Sequence, residues 1–218
     1  MNSARNSILG RLRTASGKEA LPAENFAVVA PRGWSAEQRL DRMRRMMEAV
    51  HTEFLDSRGE DWLGQLQGWL ARENIPGLIY APATPLGRRL STGWSGSVPL
   101  IAYDRAMAEW KEDFFGQAAA GITGTRGGIA ETGSLIVWTD ADEPRSLSLV
   151  PPVHVAVLEV NRLYDTFWQA MREQKWAAGM PTNLLLISGP SKTADIEQTL
   201  AYGVHGPKRL LVVLVDGE

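Results

Sequence analysis

The sequence predicts an α/β protein with a mainly parallel β-sheet flanked by helices and with a helical extension at its amino terminus. The second half of the chain carries short, nearly continuous apolar runs rich in Val, Ile and Leu. Segments with helical periodicity separate several of these runs. Strands covered on both faces read as continuous apolar runs, and their alternation with helices favours parallel pairing.

The first predicted element is a helix over residues 1–14, in which Arg5, Arg11 and Arg13 alternate with Ile8 and Leu12. It lacks the continuous apolar core of a secretory signal. Residues 15–33 are rich in Ala, Pro and Gly without a clear period, which indicates a linker. We therefore expect residues 1–34 to be a helix with a linker and residues 35–218 to be a single α/β domain.

Two amphipathic helices are predicted next. Ser35 and Gln38 have the spacing of a capping box, and the first helix continues at helical spacing through Leu40, Met43, Met47, Val50 and Phe54. The second covers residues 60–74, with Pro76 and Gly77 after it. Its apolar face consists of Trp62, Leu66, Trp69 and Leu70. Such stripes are typical of core packing.

Six apolar runs are predicted strands: Leu78–Tyr80, Val98–Tyr103, Leu135–Thr139, Val153–Leu158, Leu184–Ile187 and Leu210–Val215. Helical patterns lie between them at residues 105–115, 161–176 and 193–202.

Composition excludes several kinds of site. The chain has no cysteine, so it cannot form disulfides, thiolate nucleophiles, Cys-ligated zinc sites or Cys-ligated iron–sulphur clusters. The net charge is −2 and the basic residues are scattered, so we expect no nucleic-acid partner. No apolar run approaches the ~20 residues that span a bilayer, so we expect no membrane insertion and a cytoplasmic location.

A glycine-rich segment over residues 116–133 is the first candidate site. In one interpretation it is a binding loop, in which Gly128 and Gly133 let a ligand reach backbone N–H groups and Glu131, Thr132 and Ser134 supply polar contacts. In the other it is a connection with glycine turns between strands. Glycine clusters occur in many unrelated loops, so both interpretations stay open.

The second candidate site is the loop after the predicted strand 184–187. A helix beginning near Thr193 would present unpaired N–H groups to an anion, beside Ser188, Gly189, Ser191 and Lys192. Alternatively, Ser191 or Thr193 only caps that helix, with Asp195 favourable to its dipole. The loop lacks the ending of a P-loop, so nucleoside triphosphate hydrolysis is not indicated.

Position in the sheet bears on both loops, because ligands of open parallel sheets bind at the carboxyl ends of the strands. If residues 120–123 form a parallel strand, the two loops would share one edge and form a single pocket. His205 precedes the last strand, so we expect it on the opposite edge in a structural position. His154 is expected to be a hydrogen-bonded core residue or to border a pocket. His51 and His154 lack partners at metal-ligand spacing, so no metal site is expected.

Three segments together resemble lactate-utilisation protein C, a family built on the LUD domain: GIAETGSLIVW at 128–138, LSLVPPVHVAVLE at 147–159 and ISGPSKTADIEQTLAYGVHGPKRLLVVLV at 187–215. The resemblance implies the fold of the sugar-phosphate isomerase, glucosamine-phosphate deaminase and coenzyme A transferase group. It also implies a part in bacterial oxidation of L-lactate to pyruvate, beside two cysteine-rich partners that carry iron–sulphur clusters. The chain itself would hold no cofactor.

Three functions follow, and whether the chain is an enzyme stays open. It is a cluster-free component that binds a small carboxylate or phosphate, a stand-alone enzyme acting on a phosphorylated or coenzyme A-activated molecule, or a non-catalytic carboxylate sensor or scaffold. For the enzyme, Glu131 is the candidate catalytic residue, since its setting resembles the nucleophilic glutamate near glycines in coenzyme A transferases.

Overall fold

The structure is a computed structural model that describes residues 2–15, 29–59, 61–105, 109, 119–194 and 200–217. Its helices are α1 (Asn2–Ala15), α2 (Ala36–Glu48), α3 (Trp62–Arg72), α4 (Pro85–Gly93), α5 (Ser146–Leu149) and α6 (Phe167–Glu173). Its first six strands are β1 (Glu53–Asp56), β2 (Leu78–Tyr80), β3 (Leu100–Ala102), β4 (Ala120–Gly124), β5 (Gly127–Ile129) and β6 (Ser134–Thr139). The remaining strands are β7 (Val153–Glu159), β8 (Leu163–Tyr164), β9 (Asn183–Ile187), β10 (Lys192–Ala194), β11 (Leu200–Tyr202) and β12 (Arg209–Val215).

The main sheet has six strands in the order β1-β12-β7-β4-β2-β3, and every pair is parallel. The predicted α/β class is therefore confirmed. The apolar run at 210–215 is continuous because the side chains of β12 pack alternately into two hydrophobic clusters, one on each face of the sheet. Leu211 and Val213 pack with the Trp and Leu face of α3, whereas Leu210 and Val212 pack on the opposite face with Met43 and Met47 of α2.

A second, four-stranded sheet has the order β8-β5-β6-β9. Strand β6 pairs antiparallel with both β5 and β9. Two of the six predicted strands, those at 135–139 and 184–187, therefore lie outside the parallel sheet. Alternating Leu135 and Val137 face Met43 and Met47, so the second sheet and α2 together cover one face of the main sheet.

Helix α2 confirms its predicted start and corrects its predicted end. Ser35 accepts a hydrogen bond from Gln38 N, and the Gln38 side chain accepts one from Ser35 N, as a capping box requires. The helix ends at Glu48, and His51 has a positive φ of 69°. Phe54 then lies in β1, which pairs with β12. The prediction that the helix reaches Phe54 was wrong, because one apolar residue at helical spacing fits a strand equally well.

The predicted helix over residues 193–202 was also wrong. Strands β10 and β11 pair antiparallel there, with Lys192 opposite Tyr202. Backbone groups that a helix start would leave unpaired are used: Ser191 N donates to Pro207 O, and Ser191 O accepts from Gly203 N. Asp195 lies outside the described residues.

The other predicted helices have mixed outcomes. Helices α1 and α3 confirm those expected at 1–14 and 60–74. The helix predicted over 161–176 was wrong in part, because that segment contains strand β8, which pairs with β5, as well as the shorter helix α6. The helix predicted at 105–115 lies almost wholly outside the described residues, as does Gly116. Among the helices that the structure describes, none combines the length and the apolar character that crossing a bilayer requires.

Candidate functional site

A cleft of about 140 Å³ lies where β4, β7 and β12 end, and we call it the carboxyl-edge cleft. It is lined by Trp62, Pro85, Leu86, Arg89, Gly124, Thr125, Val157, Glu159, Val215 and Asp216. Residues 120–123 do form a strand parallel to β7, as the position argument required. The beginning of the glycine-rich segment therefore reaches the edge of the sheet where open parallel sheets bind ligands.

Helix α4 places Arg89 in this cleft. The hydroxyl of Thr84 accepts from Gly87 N at 2.9 Å, and Pro85 occupies the first turn. A Cβ at Gly87 would lie 1.8 Å from Ala81 O, so only glycine lets the helix pack this closely against the end of β2. Helix α4 was not predicted from the sequence, although Thr84 followed by Pro85 is a recognisable helix start.

Two groups in the cleft are suited to an anion. Trp62 is 5% exposed, and its indole Nε1 has no hydrogen-bond partner in the part of the chain that the structure describes. The guanidinium of Arg89 lies 5.5 Å from the centre of the Trp62 ring. Indole and guanidinium groups donate hydrogen bonds and accept none, so a ligand that pairs with either group must supply acceptor atoms.

The acidic residues at the rim of the cleft already have partners. Asp216 Oδ2 accepts from Gly59 N at 2.5 Å, and Glu159 Oε2 pairs with Arg162 Nε at 2.8 Å. The Thr125 hydroxyl donates to Val157 O at 2.9 Å, which leaves its oxygen able to accept. Because the two carboxylates are engaged elsewhere, their repulsion of a bound anion is reduced.

Glu143 is hydrogen-bonded to the backbone of a residue that lines the cleft. Its Oε1 accepts from Gly124 N at 2.7 Å, and Gly124 lines the cleft. Burial and, to a smaller extent, the nearby Asp140 raise the pKa of Glu143 from 4.5 to about 7, against the Gly124 hydrogen bond, which lowers it. The carboxyl is thus able to hold or release a proton near neutral pH. This role of Glu143 was not predicted from the sequence, because its environment forms only on folding.

The two predicted loops do meet, through a chain of hydroxyls. Thr132 Oγ1 and Ser134 Oγ lie 2.8 Å apart, and Ser134 Oγ lies 2.8 Å from Ser188 Oγ. Ser134 is only 4% exposed. The meeting point is not at the carboxyl-edge cleft, however, since β9 belongs to the second sheet. The expectation of one pocket at the carboxyl edge was therefore wrong.

Three glycines of these loops pack against α2 and the turn after it. Gly133 has φ +61°, and a Cβ there would lie 2.5 Å from Met46 Cβ. A Cβ at Gly128 would lie 2.6 Å from Met43 Sδ, and one at Gly189 would lie 2.7 Å from Val50 Cγ2. These distances indicate a packing role for Gly128, Gly133 and Gly189, because each lets a neighbour approach closely.

The remaining predicted site residues lie apart from the carboxyl-edge cleft. Glu131 Oε1 pairs with Arg32 Nη2 at 2.5 Å, and Glu131 N donates to Asp165 O. Lys192 and Thr193 lie in β10. Since no helix begins at Thr193, the argument for an anion at a helix start is lost.

His205 lies at the amino end of the main sheet, as expected, but the loop after β9 lies there with it, so the expectation that this loop reaches the carboxyl edge was wrong. Gly189, Ser191 and His205 line one cavity, at the amino end of the main sheet. The physical reason is that β9 runs antiparallel to β6 in the second sheet, so the end of β9 need not reach the carboxyl edge. Within the described ranges, no three His, Asp or Glu side chains are grouped as metal ligands would be.

The fold and the cleft together define an α/β protein with a candidate ligand site at the carboxyl edge of a parallel sheet. The chain belongs to the LUD domain family, whose sequence model matches residues 40–215. It is 38% identical to an uncharacterised protein of Neisseria meningitidis, over 98% of this chain and 94% of that one. It is 29% identical to Lactate utilization protein C of Bacillus subtilis, over 96% of this chain and 92% of the relative.

A solved structure supports the same fold. The crystal structure of a DUF162 family protein from Deinococcus radiodurans matches with a TM-score of 0.61 and 22% identity. The match covers 84% of this chain and 99% of that one. The resemblance to lactate-utilisation protein C is thereby confirmed at the level of family and fold.

Proposed function

We propose that this protein takes part in lactate utilisation, as the cluster-free component of a bacterial, cytoplasmic system that oxidises L-lactate to pyruvate. Support comes from relatives named Lactate utilization protein C, one of which aligns with 96% of the chain. In this proposal the chain binds a small carboxylate, or the chemically similar phosphate, in the carboxyl-edge cleft.

The pairing of Trp62 with Arg89 is the observation that carries the ligand assignment. A buried N–H without a partner loses free energy unless a ligand pairs with it, and here the cation of Arg89 lies over the same ring. A carboxylate suits this pair, because it has an acceptor oxygen for the indole N–H and a negative charge that the guanidinium attracts. The cleft volume of about 140 Å³ suits a molecule of only a few heavy atoms, such as lactate or pyruvate.

The absence of cysteine supports a division of labour. Electron transfer through iron–sulphur clusters requires thiolate ligands, which this chain lacks. We therefore propose that the clusters reside in partner proteins of the system. Glu143, which accepts a hydrogen bond from Gly124 of the cleft, would let this chain take up or release a proton near the bound ligand, which is chemistry that complements electron transfer elsewhere.

A stand-alone enzyme using Glu131 as nucleophile has less support. Glu131 is paired with Arg32, and it does not line the carboxyl-edge cleft. The candidate stays a prediction, and unchanged turnover by a Glu131→Gln protein would eliminate it.

Arg89→Gln is expected to weaken L-lactate binding by about tenfold to a hundredfold, since a hydrogen bond to a charged group contributes roughly 1.5–3 kcal/mol. Isothermal titration of the full chain with L-lactate, pyruvate and phosphate measures the effect. Arg88→Gln is the matched control. Arg88 is the neighbouring residue on α4, is exposed, and does not line the cleft.

Equal binding by Arg89→Gln and wild type would contradict the ligand site.

The role in lactate utilisation is tested separately in the cell. Deleting the gene is expected to abolish growth on L-lactate while growth on pyruvate continues. Normal growth on L-lactate would contradict the pathway without bearing on the ligand.

A further inference from the structure

A second cavity lies at the opposite edge of the main sheet, and we call it the amino-edge cavity. Its volume is about 120 Å³. The residues that line it include Ser148, His154, Ser191, His205 and Leu210. His154 and Leu210 are the second residues of β7 and β12, so the cavity opens at the amino ends of these strands. It shares no lining residue with the carboxyl-edge cleft.

His154 has one satisfied nitrogen and one unsatisfied nitrogen. The residue is 1% exposed, and its Nε2 lies 2.8 Å from Thr123 Oγ1. Its Nδ1 has no hydrogen-bond partner among the residues that the structure describes. Leaving a buried polar nitrogen unpaired costs about 1–3 kcal/mol, so a partner from outside the chain would be favoured at this atom.

Hydrogen-bond counting indicates which form the imidazole takes. If the Thr123 hydroxyl donates to Nε2, only the Nδ1 proton is left without a partner. If Nε2 donates instead, both the Thr123 hydroxyl proton and the Nδ1 lone pair are unpaired. The first arrangement leaves fewer groups unsatisfied. The Nδ1 therefore carries the proton, and its missing partner is an acceptor atom.

The charge of the cavity limits what that partner is. Burial lowers the pKa of His154 to about 3, so its imidazole is neutral at physiological pH. Apart from the two histidines, none of the described residues that line the cavity has an ionisable side chain. A charged ligand would lose much of its hydration among largely uncharged groups, whereas an uncharged one would lose less.

We propose that the amino-edge cavity is a second binding site, which takes a small uncharged molecule whose carbonyl or hydroxyl oxygen accepts a hydrogen bond from His154 Nδ1. Ser148 is positioned to add a second contact. Its Oγ already donates to Arg145 O at 3.0 Å, so its lone pairs accept from a ligand hydroxyl. A molecule with neighbouring hydroxyl and carbonyl groups matches both. This site is independent of the function proposed for the other edge.

The test compares lactamide with L-lactate, which have nearly the same shape but differ in charge. The chain has three histidines, so their imidazole nitrogens are few enough to assign by NMR. Titrating the full wild-type chain with lactamide is expected to shift the His154 Nδ1 resonance in a saturable way. L-Lactate is expected to leave that resonance unchanged. A resonance that lactamide does not move, or that both compounds move equally, overturns the proposal, and a cavity holding water only is then the better account.

His154→Gln gives a second measurement. Its side-chain amide reaches the position of Nε2 and keeps a hydrogen bond to Thr123, but it offers nothing at the position of Nδ1. Lactamide affinity is expected to fall roughly tenfold, as the loss of one buried hydrogen bond predicts. The control is His51→Asn, at an exposed position whose positive φ asparagine tolerates. Unchanged affinity in a folded His154→Gln protein also overturns the proposal.

Discussion

Glu143→Gln is expected to increase the free energy of unfolding by up to about 3 kcal/mol above pH 8. Burial raises the pKa of Glu143 from 4.5 to about 7, so the folded wild-type protein must keep an unfavourable buried carboxylate at alkaline pH. Each pKa unit corresponds to roughly 1.4 kcal/mol. Glutamine removes the charge and still accepts the hydrogen bond from Gly124 N.

The raised pKa of Glu143 determines how the free energy of unfolding depends on pH. Because the folded pKa is raised, the native state binds more protons than the unfolded state between pH 4.5 and about 7. Wild-type stability therefore falls relative to the variant as pH rises through this window. Urea unfolding at several pH values measures the difference, with Asp142→Asn, at an exposed neighbouring residue, as control. A difference that does not change between pH 5 and pH 8 would contradict the burial of Glu143.

Asp165→Ala is expected to reduce the free energy of unfolding by about 3–5 kcal/mol, as loss of one partner from a buried charge network does. The Asp165 side chain is 0% exposed. It accepts from Arg32 N at 2.6 Å, from Gly33 N at 2.7 Å and from Arg39 Nε at 2.5 Å. Without it, three donors lose their acceptor, and the segment before α2 loses its attachment to β8 and α6.

Acidic pH is also expected to reduce the free energy of unfolding, but by less than the Asp165→Ala substitution. Burial acts to raise the pKa of Asp165, but hydrogen bonds from Arg39 and Gly33 outweigh it and hold this pKa below its ordinary value. The stabilisation is therefore present above about pH 4 and disappears as pH falls through the lowered pKa. Asp41→Ala is the control, since Asp41 forms an exposed ion pair with Arg45 and should contribute under ~1 kcal/mol. Equal losses in the two variants, measured by guanidinium unfolding, would show that Asp165 does not anchor this segment.

Local sequence patterns predicted the elements whose positions are determined by their own residues. The capping residues Ser35 and Gln38 determine where α2 begins, and the apolar run at 210–215 identifies β12 because both of its faces are buried. In contrast, β1 forms because Phe54 and its neighbours pair with β12, more than 150 residues away in sequence. The hairpin of β10 and β11 likewise depends on pairing that a helical period at 193–202 does not reveal.

The candidate site could be located only in part. The position rule directed attention to the carboxyl ends of the strands, where Gly124 lines a cleft. Trp62 and Arg89 are ordinary residues in the sequence, and they become a donor pair only when α3 and α4 pack beside each other. Assignment of β9 to the parallel sheet placed Ser188 and Ser191 at the wrong edge, because an apolar run does not show which sheet a strand joins.

The central claim, that the carboxyl-edge cleft binds a small carboxylate, is tested most directly at the indole N–H of Trp62. The chain has eight tryptophans, and comparison with a Trp62→Phe protein assigns the Trp62 indole resonance in an NMR spectrum. We predict that L-lactate shifts this resonance in a saturable way and that lactamide, which lacks the charge, does not. A Trp62 indole resonance that stays in place as L-lactate is added would contradict the account.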